Sequence, residues 1–236
     1  MIIRNKKMFS IGAFAATTFL GVLLLIFSPV FSGKNGLQFA DDSFNRLSKG
    51  SSYFIPKVAK SVETLAGKEL AQKITFDKAE DAADAAKLFV AAGAKADAKE
   101  STLSIEGDLA AILRSTLADA DAMFKNDGKF VSDKYGMDEK VAMKTWWTAL
   151  GKIEKNLKKE KKIDEAKVIA DMNKKAIEPA YNFYQIEGEK VADHAGMMSG
   201  LLVFYVAYTM WWGYSIFYLF DGLGLSMKKA KVKKEA

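Results

Sequence analysis

The residues able to do chemistry in this chain are few. There is one histidine, His194, and no cysteine. His194 stands three residues before an uncharged run that opens at Met197, so its imidazole could ligate a haem iron or pass a proton to a quinone. One histidine without thiolates builds neither a bis-His haem nor a common zinc site within one chain. A ligand role for His194 would therefore need a second subunit, and its plain alternative is a residue resting at the headgroup boundary.

Carboxylates come in neighbouring pairs: Asp41 with Asp42, Glu80 with Asp81, Asp119 with Asp121, and Asp164 with Glu165. Acid–base work by two carboxylates needs groups that converge from different elements with separated pKa values. Immediate neighbours on a helix diverge instead, and each pair sits at a helix start or on an Ala-rich polar face, where solvation or the helix dipole accounts for it. The metalloprotease HExxH, the GxSxG elbow and the Gly-rich phosphate-binding loops are all missing. We therefore assign no catalytic residue and no metal site, and expect a protein that is not an enzyme.

The remaining chemistry is aromatic. Nine of the seventeen residues from Phe204 to Phe220 carry rings. Phe204, Tyr208, Trp211, Ser215 and Tyr218 recur at helical spacing and form one stripe, with Tyr205 and Trp212 on its flank. A membrane-interface belt would place rings at the two ends of a span, whereas these run through its middle. A tyrosine hydroxyl at that depth needs a hydrogen-bond partner. One supply is the opposite helix, where Ala13, Thr17 and Gly21 repeat small residues every fourth position beside Gly12 and Ala16. Others are a docked foreign subunit or a quinone head group, for which His194, Tyr208, Trp211 and Trp212 are the candidate contacts. No resident cofactor is expected.

The elements that would carry these groups follow from hydropathy. Residues 8–31 and 197–220 are each free of charge, and at about 1.5 Å per residue each reaches roughly 36 Å as a helix, enough for the ~30 Å hydrocarbon core. The expected organisation is a basic N-terminus (1–7), a first transmembrane helix (8–31), a water-soluble region (32–196), an aromatic second span (197–221) and a Lys-rich tail (222–236). The first run exceeds the length of a signal-peptide core, so an uncleaved anchor is expected. The net charge of +6 lies wholly in the flanks, on Arg4, Lys6, Lys7, Lys228, Lys229, Lys231, Lys233 and Lys234. That bias marks both termini as cytoplasmic and the middle as extracytoplasmic in a bacterial or archaeal membrane, with lipid rather than nucleic acid as the basic flanks' partner.

Between the spans the pattern reads as all-α, a bundle of about 4–5 helices. Asp108 and Asp138 are expected N-caps, and Met143, Trp146, Leu150, Ile153 and Leu157 form a core stripe. Residues 94–104 are expected to be a loop, and from Ala180 one long helix, or two near-coaxial ones, is expected to run on into the second span. Pro179, Tyr181, Phe183 and Tyr184 gather rings around a bend and form a candidate juxtamembrane docking surface. Together these features predict a non-catalytic membrane subunit that anchors and docks protein partners, in a complex of respiratory or energy-transducing type. A ligand-sensing domain signalling through a separate protein is the second reading, and a quinone- or haem-associated redox subunit the third.

Overall fold

The structure, a computed structural model, describes residues 3–225. The lysines from Lys228 to Lys234 lie outside the described residues. The chain is mostly helical, with one small sheet, and divides into two compact units: one formed by the chain up to Phe44 and from Lys190 onward, the other by Asn45–Glu189.

The first unit contains α1 (Lys6–Phe27), the first part of α2 (Gly36–Ser51) and α10 (Ala195–Leu223). Helices α1 and α10 are long and apolar enough to cross a membrane. Asn5 caps α1 by accepting the Met8 N–H at 3.2 Å. The helix stops at Ser28-Pro29, and Ser32 (φ 53°) and Gly33 (φ 81°) turn the chain toward α2.

The second unit corrects the all-α expectation. It holds α3 (Ile55–Glu63), β1 (Glu69–Thr75), α4 (Ala79–Ala91), β2 (Lys95–Lys99), β3 (Thr102–Asp108), α5 (Leu109–Phe124), α6 (Gly128–Tyr135), α7 (Glu139–Lys159), α8 (Ile163–Met172) and α9 (Glu178–Asn182). The strands form an antiparallel sheet in the order β1-β3-β2, so the last strand lies between the first two. The expected loop at 94–104 is in fact a hairpin whose turn places Glu100 at φ 52°. Leu70 and Ile74 of β1 and Leu103 and Ile105 of β3 point into the core, while Glu69, Lys73, Ser104 and Glu106 face water. That alternation is what an antiparallel sheet covered on one face requires.

Asp108 and Asp138 cap α5 and α7 as expected, accepting the N–H of Ala111 at 2.7 Å and of Val141 at 3.0 Å. The whole α7 stripe from Met143 to Leu157 is buried. Asp119 departs from the solvated role expected of it. It is fully buried, and accepts hydrogen bonds from Lys134 Nζ at 2.7 Å, from Trp146 Nε1 at 3.1 Å and from the Tyr135 hydroxyl. Three donors from α6 and α7 thus converge on one carboxylate of α5. A buried charge survives only with such compensation.

The expected continuous helix from Ala180 into the second span is also corrected. Helix α9 ends at Asn182, Gln185 takes φ 65°, and a 3₁₀ turn (Val191–His194) precedes α10. Two ends of the second unit are sewn together here. Glu189 N–H donates to the Arg46 carbonyl at 3.0 Å, and their side chains pair at 3.1 Å. Lys49 donates to Asn126 Oδ1 at 2.8 Å and to the Ile186 carbonyl. Gly50 lies so close that a Cβ there would meet the Glu189 oxygen at 1.9 Å.

Removing the Asp119 carboxylate strands three donors. Asp119→Ala is expected to lower unfolding stability by about 3 kcal/mol, with Asp119→Asn losing less; chemical denaturation checks this. The Tyr135 phenol is held well above the usual tyrosine range, first by burial and then by the Asp119 charge. A raised folded-state pKa contributes stability that is complete below the unfolded value of about 10 and is lost as pH rises above it. The second unit should therefore weaken above pH ~10, and Tyr135→Phe should flatten that alkaline slope.

Candidate functional site: the aromatic seam of the helical hairpin

Helices α1 and α10 run antiparallel, and their closest approach is made by glycine. A Cβ at Gly12 would lie 2.5 Å from the Leu219 backbone N, and one at Gly222 would lie 2.6 Å from Phe9 Cα. The Gly222 carbonyl also accepts the N–H groups of Arg4 and Asn5, both at 2.9 Å. Lys6 and Lys7 extend from the same end of the hairpin, exposed in the first turn of α1. Apolar burial drives association weakly between helices in lipid, so close backbone packing and hydrogen bonds carry it instead.

From that close end the seam widens to admit rings. Phe19 is buried and stacks on Tyr208 with centroids 4.2 Å apart, and Phe204 stacks on the same tyrosine at 5.3 Å. Trp211 meets Phe19 edge-on at 6.3 Å, and Trp212 lies 4.7 Å from it. Trp211 Nε1 donates to the Ala15 carbonyl at 3.0 Å, a hydrogen bond joining the two helices. Ser215 is buried and returns its hydroxyl to the Trp211 carbonyl at 2.8 Å. Tyr218 belongs to the same stripe, with Tyr214 and Phe217 at its side.

The expected stripe of α10 is therefore assembled in one place. Across from it, the small residue at the tightest contact is Gly12. Thr17 and Gly21 are exposed and Ala13 is half-buried, and a Cβ at Gly21 would have nothing within 4 Å. Phe19 is the α1 residue that sequence reasoning missed. A large ring facing large rings does not look like a groove, and its period from Gly12 (seven residues) was the available signal.

The Tyr208 hydroxyl is buried in this seam with no hydrogen-bond partner. On the flank beside Trp212, Tyr205 is 66 % and Trp212 40 % exposed, and Thr209 lies between them with its hydroxyl turned back to the Tyr205 carbonyl at 2.7 Å. The 205-209-212 row leaves the Tyr205 and Trp212 rings partly exposed, and neither the Tyr205 hydroxyl nor the Trp212 N–H has a hydrogen-bond partner among the described residues. Counted along the axis at 1.5 Å per residue, the backbone positions of Tyr205 and Trp212 lie within about 6 Å of the centre of α10.

The other expected residues lie elsewhere. Pro179, Tyr181, Phe183 and Tyr184 belong to the second unit, around α9. His194 closes the 3₁₀ turn before α10. Among the described residues no group of three histidines, cysteines or acids is arranged to hold a metal ion. No protein-family model, no curated protein and no solved structure matches the chain.

Gly12→Leu should force the helices apart and cost about 1–3 kcal/mol of hairpin stability, whereas Gly21→Leu should be neutral. Thermal unfolding in mild detergent separates the two. Tyr208→Phe removes an orphaned hydroxyl and should be neutral or stabilising by up to about 1–3 kcal/mol. A clear loss would mean that the hydroxyl is satisfied by something bound in the native membrane.

Proposed function

We propose that this chain is a non-catalytic integral-membrane subunit that docks a protein partner along the 205-209-212 row of α10. Both termini would be cytoplasmic and the Asn45–Glu189 unit extracytoplasmic, at the cytoplasmic membrane of a bacterium or archaeon. The basic residues Arg4, Lys6 and Lys7 at one end of the hairpin support that orientation by the positive-inside bias.

One observation carries the docking reading. Tyr205 and Trp212 leave ring surface exposed near the middle of a long apolar helix, and neither polar ring atom has a hydrogen-bond partner among the described residues. Lipid tails offer no acceptor, and an unpaired group there costs several kcal/mol in the apolar-transfer limit. A neighbouring transmembrane helix with carbonyl, hydroxyl or amide acceptors would satisfy both, and the rings would supply rigid contact area at low entropic cost. Trp211 already does this within the hairpin, toward Ala15.

The test is photo-crosslinking in native membranes with a benzophenone amino acid replacing single residues. Positions 205, 209 and 212 should each yield the same discrete protein adduct, and positions 203, 206 and 210, on the opposite face, should yield lipid adducts only. Lipid adducts from all six positions would overturn the proposal.

A further inference from the structure

The second unit carries a cleft that the docking reading does not use. It lies between α7 and α9, has a volume of about 310 Å³, and is lined by Met143, Lys144, Trp147, Ile177, Glu178, Tyr181 and Asn182. Adjacent tryptophans of α7 have opposite fates. Trp146 is fully buried against Phe89, whereas Trp147 is 46 % exposed at the cleft. Folding alone gives no reason to leave that much ring surface in water.

Trp147 is also held in place. Its Nε1 donates to Glu178 Oε1 at 2.9 Å, and its backbone carbonyl accepts from Asn173 Nδ2 at 3.3 Å. Glu178 reaches it because of an irregularity with a clear cause. Residues Asn173–Ile177 form a π-helical turn, closed by a bond from the Glu178 N–H to the Asn173 carbonyl. Pro179 follows at once, and a proline ring clashes with the carbonyl four residues earlier in a regular helix. The wider turn relieves that clash and rotates every later residue by one position, which brings Glu178, Tyr181 and Asn182 to the cleft. Turns of this kind are frequent at functional sites.

The charge around the cleft is uneven in its commitments. Glu178 is engaged by Trp147, and Glu139 accepts the Tyr184 hydroxyl at 2.9 Å. Lys140 and Lys144 form no ion pair among the described residues, and Lys140 lies over the Tyr181 and Tyr184 rings at 5.9 and 5.8 Å. Both carboxylates keep their negative charge but are turned toward neutral donors, the indole and the phenol, whereas Lys144 is the one cation in the cleft lining and has no ion-pair partner among the described residues. A cavity of ~150 Å³ accepts benzene, and sites for small ligands begin near 300 Å³, so the space suits one ring and a short arm.

We propose that this cleft binds a small aromatic carboxylate, its ring against Trp147 and Tyr181 above Met143 and Ile177, and its carboxylate toward Lys144. The fixed indole is a preorganised wall, which lowers the entropy cost of binding. The site is independent of the α10 docking face, and either can fail without the other.

The test uses the full-length protein in lipid nanodiscs with ¹⁵N-labelled tryptophan. The chain has four tryptophans, and Trp147→Phe identifies the signal of interest. Phenylacetate, phenylacetamide and phenethylamine are titrated separately. Phenylacetate should move the Trp147 indole signal saturably, and should bind about tenfold more tightly than phenethylamine. Lys144→Gln should weaken phenylacetate about fivefold, and Lys144→Glu should reverse the preference toward phenethylamine. The three other indole signals report that each variant is folded. Equal shifts by all three probes, shifts confined to the other tryptophans, or no saturable shift of Trp147 would overturn the proposal.

Discussion

The hairpin depends on how closely two backbones approach where apolar surface is not scarce. In water, α1 and α10 would associate by burying leucines and rings. Between lipid tails that gain would largely vanish, and what would remain is dispersion at short range and the few polar groups that find each other. Gly12 and Gly222 allow contact at one end, and the Trp211–Ala15 hydrogen bond fixes the register in the middle. Beyond the glycine contact, the aromatic stripe packs on Phe19 of α1. The rings that do not fit the seam define its outer flank.

The second unit turns its apolar residues inward and most of its charges outward, and there the problem is reversed. Apolar burial is plentiful, and specificity comes from polar groups that cannot be left alone. Asp119 lets three side chains from α6 and α7 agree on one position, and a shift of either helix would strand a donor. Buried carboxylates are poor sources of net stability but effective at selecting one arrangement. The π turn before Pro179 is the same kind of local compromise, since a steric conflict in the backbone sets which side chains line the cleft.

The two long apolar helices, the caps at Asp108 and Asp138 and the α7 core stripe were legible because each rests on one local rule of length, capping or period. The sheet was not. Gln72 occupies the inward position between Leu70 and Ile74, and blurs the alternation there because its partner, Glu160, is 88 residues away. Strand β2 offers only alanines as its apolar residues, and its turn, Glu100-Ser101, lacks the Asn-Gly signature of a tight hairpin. Strand β1 pairs with β3 across all of α4 and β2, a long-range cause that no short window contains, and β3 then lies between the two other strands. The seam stripe on α10 was visible as periodicity. The outward turn of Trp147 follows from the same period that buries Trp146, but the cleft beside it was not legible, because its other wall depends on the π turn before Pro179.

The stitching of Arg46 and Lys49 to the 186–189 segment has an architectural meaning. It brings the entry and the exit of the second unit to a single seam, so that the unit is a closed insertion in the chain. A module whose two ends already touch can be lost, exchanged or enlarged between the helices without altering the distance they must span. Gly50, where a side chain would collide with the Glu189 backbone, is the stitch on which that interchangeability turns.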